Sequence, residues 1–180
     1  MYLKVLFLSF FVLLAGCAGQ MKKIPASAEI SAFHLKEVTV NLIFNGNEIP
    51  GDTTFASQEE FAKNFEDDLV KYLKEQNIYS ASSREDVAEL YITLDYTRNY
   101  THNGKALIQP YVSHNVKVYS GDSELLSFGV SNYTTKYDYF TQFAVVTQRL
   151  AYEWDQEDEP KEIDLISKTI INDLKERIDK

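Results

Sequence analysis

The sequence predicts an α+β domain: an antiparallel-rich four-stranded sheet with helices packed mainly on one face, in the order β-α-β-β-β-α-α. Three observations lead there. Four stretches alternate apolar and polar residues with period two, the mark of a half-buried strand. Three of them follow one another, separated by the turn signals Asn103-Gly104 and Gly121-Asp122. Other segments carry apolar residues at helical spacing and need a sheet face to bury them.

The first strand is expected at Lys36–Phe44, with Val38, Val40, Leu42 and Phe44 on one face and Glu37, Thr39 and Asn41 on the other. Asn45 to Phe55 then reads as loop, with two glycines and a proline. Ser57 opens a helix, because Ser57 and Glu60 have the spacing of a capping box, in which each side chain satisfies an orphan backbone donor. Phe61, Phe65, Leu69, Tyr72 and Leu73 form its apolar stripe, and it should stop near Gln76-Asn77. Leu90, Ile92, Leu94 and Tyr96 mark the second strand. Val112, Val116 and Val118 mark the third, and Leu126, Phe128 and Val130 the fourth. Pro110 calls for a bulge in the third strand. Phe140, Phe143, Leu150 and Trp154 suggest a helix, and Pro160 suits the first turn of a last one, whose stripe is Ile163, Ile166, Ile170, Leu174 and Ile178.

The apolar residues of the last three strands fall on even numbers, so cross-strand partners should have even sums. Three-residue loops at 102–104 and 121–123 meet that condition. They pair Leu94 with Val112, Ile92 with His114, Val116 with Phe128 and Val118 with Leu126. They also pair 120 with 124 and set Tyr111 between Asp95 and Tyr133.

Residues 1–16 read as a signal peptide, 17–35 as a tether and 36–180 as one domain. Lys4 precedes an apolar run, Val5 to Leu13, that is too short to span a bilayer, which needs roughly 20 apolar residues. Leu14-Ala15-Gly16-Cys17 then closes the run. This motif resembles the lipobox of bacterial lipoproteins. The resemblance implies a diacylglycerol on the Cys17 thiol, cleavage before Cys17, and acylation, typically with palmitate, of the new amine. It makes Cys17 the lipidation site and the lipid the link to the membrane. Ala18 stands where an aspartate would retain such a protein at the inner membrane. The implied location is therefore the periplasmic face of the outer membrane, or the cell membrane in a Gram-positive host. Cys17 is the sole cysteine, so no intrachain disulfide is possible.

The formal net charge is −9. Loss of the signal removes Lys4 and leaves 17 Lys and Arg against 27 Asp and Glu, a charge of −10. Such a surface repels phosphate backbones, which argues against nucleic acid as a partner. His34, His102 and His114 do not converge, so no metal or other cofactor is expected; His114 reads as a hydrogen-bonded core histidine. No Gly-x-Ser-x-Gly, P-loop or His-Glu-x-x-His occurs, and no catalytic residue is assigned. The acidic run at 155–159 is explained by solvation and by its place before a helix start.

The odd-numbered sheet face is rich in tyrosine. Tyr91, Asp95, Tyr111 and Tyr133 are its candidate partner-binding residues, since tyrosine offers contact area with a polar handle. The expected function is a lipid-anchored, non-enzymatic envelope protein that binds another protein. In element order the chain resembles small envelope lipoproteins that assist outer-membrane assembly or transport. A periplasmic immunity or inhibitor protein is the first alternative, and a cell-wall or glycan hydrolase the second.

Overall fold

The computed structural model describes residues 23–25, 28, 30–46, 55–100, 107–133 and 157–178. Its elements are β1 (Ala32–Asn45), α1 (Gln58–Glu75), β2 (Val87–Tyr100), β3 (Leu107–Ser120), β4 (Ser123–Tyr133) and α2 (Asp158–Ile178). The sheet order is β1-β2-β3-β4. β1 pairs with β2 in parallel, and the other two pairings are antiparallel, so the sheet is mixed. The helix expected around Phe140–Trp154 lies outside the described residues. Among the described residues no helix is long and apolar enough to cross a membrane.

α1 forms as its residues require. Ser57 and Glu60 make both bonds of the capping box. The helix ends at Gln76, and Asn77 follows at φ 57°, a left-handed position that asparagine tolerates. Its five stripe residues are all buried. In α2, Ile163, Ile166, Ile170 and Leu174 are buried and Ile178 packs against the core. Both stripes meet the even face of the sheet in one apolar cluster with Leu90, Ile92, Leu94, Val116, Val118 and Leu126. The two helices are also tied directly: the Tyr72 hydroxyl donates to the Asp164 carboxylate at 2.8 Å, and Lys71 Nζ reaches it at 2.5 Å.

β1 begins at Ala32, four residues before the expected start, and takes in the last part of the expected tether. The cause is a bulge. Leu35 pairs with Leu90 but Glu37 pairs with Tyr91, so Lys36 is the extra residue. Above it Val38, Val40 and Leu42 turn inward; below it the parity reverses, and Phe33 reaches the core at 1% exposure. The outer edge of β1 is covered at two places. Phe33 N donates to Ile78 O at 2.7 Å, and Ser80 N donates to Phe33 O at 2.8 Å. Farther along, the Gln58 carboxamide accepts from Leu42 N at 3.2 Å and donates to Val40 O.

The even-sum rule holds through the body of the sheet, but the β2–β3 register is two residues from the expected one. Leu94 pairs with His114, not Val112, and Ile92 pairs with Val116, not His114. A shift of two keeps every side chain on its face, so alternation alone cannot exclude it. Pairing is described as far as Tyr100–Leu107, and the expected three-residue loop at 102–104 lies outside the described residues. Thr97 pairs with Tyr111 and Asn99 with Ile108, so Gln109 and Pro110 together oppose Arg98: this is the bulge that Pro110 calls for. At the next turn Ser120 pairs with Ser123 and Tyr119 with Glu124, correcting the expected 120–124 pair. Gly121, at φ 56°, makes this a two-residue turn. Leu125 is then the extra residue that restores Val118–Leu126 and Val116–Phe128 as expected.

Candidate functional site

The odd-numbered face of the sheet carries no described helix. Its four expected residues do not form one cluster. Tyr91 sits low on β2, between Glu37 on β1 and Lys117 on β3. Its ring meets Tyr119 edge to face at 5.4 Å, and its hydroxyl donates to Glu89 at 3.1 Å. Lys36, 3.2 Å from Glu89, donates to that carboxylate and holds it below the usual glutamate range. Glu37, Tyr91, Thr93, Asn115, Lys117 and Tyr119 line a shallow, open depression. Asp95 lies beyond it, accepting from Asn41 Nδ2 at 2.7 Å and facing Ser113 instead of Tyr111. Tyr111 is 49% exposed and faces Thr97, six residues along β2 from Tyr91, about 20 Å at strand rise.

Tyr133 leaves this face altogether. Val112 pairs with Tyr133 and His114 with Val130, so β4 has one residue too many between them. Asn132 takes φ 52° there, and its N–H donates to Ser113 Oγ at 2.9 Å. The bulge turns Tyr133 inward, against the expected pairing with Tyr111.

Tyr133 instead meets His114. Its hydroxyl and His114 Nδ1 are 2.9 Å apart, with the rings nearly perpendicular. His114 is 5% exposed and is the hydrogen-bonded core histidine its sequence position suggests. Gly129 sits against its carbonyl, where any Cβ would come within 2.3 Å. Burial disfavours the imidazolium and lowers the His114 pKa to about 4. The folded state therefore resists a proton that the unfolded chain accepts near pH 6.5. Stability from this group is complete above that pH, falls as pH drops toward 4, and changes no further below. The total loss should be about 3 kcal/mol. Urea denaturation of wild type and His114→Phe between pH 7 and 4 checks this: the variant should lack that share of the slope.

A second group of polar residues lies inside the protein, and sequence reasoning missed it. The Arg98 guanidinium donates through Nε and Nη2 to the two Glu159 oxygens, each at 2.7 Å, and from Nη2 to Ala56 O at 2.7 Å. The rings of Phe44, Phe55 and Phe61 surround it at 5.7–5.9 Å. One turn on, Glu162, fully buried, accepts from the Tyr96 hydroxyl at 2.8 Å. Asp158 and Glu159 are thus buried, which corrects the reading of the 155–159 run as solvated. The signal was present: Arg98 has the parity of Tyr96, and Glu159 and Glu162 share the stripe of Ile163 and Ile166. Both carboxylate oxygens of Glu159 are occupied by Arg98, so this arrangement fastens α2 to the sheet. Among the described residues no three of His, Cys, Asp or Glu gather as metal ligands.

No protein-family model matches the chain, and no curated protein matches it in sequence. Solved structures superpose loosely. A neuraminyllactose-binding hemagglutinin homolog from Helicobacter pylori is 14% identical, with a TM-score of 0.37, over 92% of this chain and 90% of its own. An uncharacterized protein is 11% identical, with a TM-score of 0.37, over 82% and 95%. A minor lipoprotein from Acinetobacter baumannii is 18% identical, with a TM-score of 0.29, over 76% and 90%.

Proposed function

We propose that this chain is a lipid-anchored, non-enzymatic envelope protein whose α+β domain binds another protein. The observation that carries this reading is Leu14-Ala15-Gly16-Cys17 at the end of a short apolar run. Acyl chains on Cys17 supply the anchor, since each buried methylene contributes about 0.8 kcal/mol and two or more chains hold stably. Ala18 favours the periplasmic face of the outer membrane in a Gram-negative host. Cys17→Ser should leave an uncut precursor without acyl label. A mutant with unchanged mass and unchanged membrane partition would refute the assignment.

The partner face is the open side of the sheet. Among the described residues Tyr111 is its most exposed tyrosine, and a rigid aromatic on a strand makes an interface anchor at low entropic cost. Tyr111→Ala should weaken cross-linked recovery of an envelope protein while leaving stability within about 0.5 kcal/mol, as for other surface sites. Full recovery with the variant would leave the face as ordinary strand surface.

A further inference from the structure

The depression beside Tyr91 is built differently from the Tyr111 end of the same face. It holds about 450 Å³, within the roughly 300–1,000 Å³ usual for a small-ligand site. Sites of that size are mostly apolar, and this one is not. Thr93 pairs directly with Asn115, and Tyr91 with Lys117 one row along, so these four residues mark a patch of about 5 Å by 7 Å. Across from Asn115 on β4 stands Gly129, which has no side chain to cover it. Among the described residues the side chains of Thr93, Asn115 and Lys117 have no hydrogen-bond or ion-pair partner, and Asn115 and Lys117 are exposed. A hydroxyl, a carboxamide and an ammonium group thus offer donors and acceptors to a ligand.

The aromatic groups beside them are held in place. The Tyr91 hydroxyl donates to Glu89 and the Tyr119 hydroxyl to Glu124 at 3.2 Å, and the two rings meet edge to face. Rings fixed in this way give apolar contact with little ordering cost when a ligand arrives. Four carboxylates, Glu37, Glu89, Asp122 and Glu124, stand around the patch against two lysines, Lys36 and Lys117, so an anionic ligand is disfavoured. The exposed large apolar side chains, Ile43, Phe44, Tyr111 and Val130, all lie outside it, which leaves little apolar surface for a protein interface to bury.

We propose that this depression binds a neutral saccharide. A sugar ring matches the patch in size. Its hydroxyls point in several directions, toward Thr93, Asn115, Lys117 and the Glu37 oxygen not taken by Thr39. Its C–H face suits the edge of a fixed tyrosine pair. The site is separate from the protein-binding end at Tyr111 and does not depend on it.

The test is saturation-transfer NMR on the full chain in a detergent without sugar groups. Lactose, maltotriose and triacetylchitotriose serve as neutral probes, and trigalacturonate as the acidic one. A neutral probe should bind saturably, and trigalacturonate about tenfold more weakly than the best of them. Thr93→Val and Asn115→Ala, the latter at an exposed position, should each weaken the neutral probe about tenfold through loss of a hydrogen bond. Glu66→Ala, on the outer side of α1, should bind as wild type does. Three results would overturn the site: no saturable transfer from any neutral probe, trigalacturonate binding as tightly as they do, or undiminished binding in both sheet variants. None of them bears on the protein partner, which Tyr111→Ala tests separately.

Discussion

Arg98→Ala should destabilise the domain by about 3–5 kcal/mol, because it strands Glu159 as an uncompensated charge in the interior. Both members of the pair are 4% exposed at their side chains, and water cannot replace the guanidinium. The loss also frees the Ala56 carbonyl and empties the space among three phenylalanine rings. The pair need not be a net source of stability, since bringing two ions out of water costs about what their attraction returns. The double variant Arg98→Met with Glu159→Leu should accordingly lie much closer to wild type than Arg98→Ala. Urea midpoints for wild type, Arg98→Ala, Glu159→Leu and the double variant form the cycle that checks this. Additive losses in the double variant would show that Arg98 acts through its other contacts.

Leu69→Ala should cost about 2–5 kcal/mol, the range for removing a core leucine and leaving a cavity. Leu69 is fully buried at the centre of the α1 stripe, between Phe65 and Leu73, where α1 meets the rest of the core. Glu66→Ala, on the exposed side of the same helix, should change stability by less than about 0.5 kcal/mol. A similar small change at Leu69 would mean that the helix presents a different face to the sheet. Denaturant titration of the two variants side by side decides it.

The contrast between α1 and the sheet shows what was legible in the sequence. A helix with a capping box and a five-residue stripe specifies its start, its stop and its inner face from local information, and all three appear as expected. A strand specifies only which parity faces inward. Sliding β2 against β3 by two residues leaves Leu94 and Val112 just as buried, so alternation leaves the pairing open, and the bulge at Gln109-Pro110 opposite Arg98 is part of what sets it. Bulges did most of the damage to the expected site. Lys36 reverses the inner face of β1, and Asn132 sends Tyr133 into the core, while the hydrophobic pattern shows neither. Arg98 and Glu159 were overlooked for another reason. Each lies on the inward face of its own segment, but a charge there is read as solvated until the joining of the two apolar faces makes them a pair.

The Gln58 carboxamide on β1 bears on how copies of this chain meet at high local concentration. A strand at the border of a sheet offers a template on which an identical strand can grow, and proteins held on one surface encounter each other often. A primary amide presents one acceptor and donors in much the same plane as a peptide group. By engaging Leu42 N and Val40 O, Gln58 occupies the places a neighbouring backbone would take. The bridge to residues 78–80 does the same near Phe33. The outer border of β1 is thus closed at two points, and another copy meeting it there finds no free backbone on which to extend the sheet.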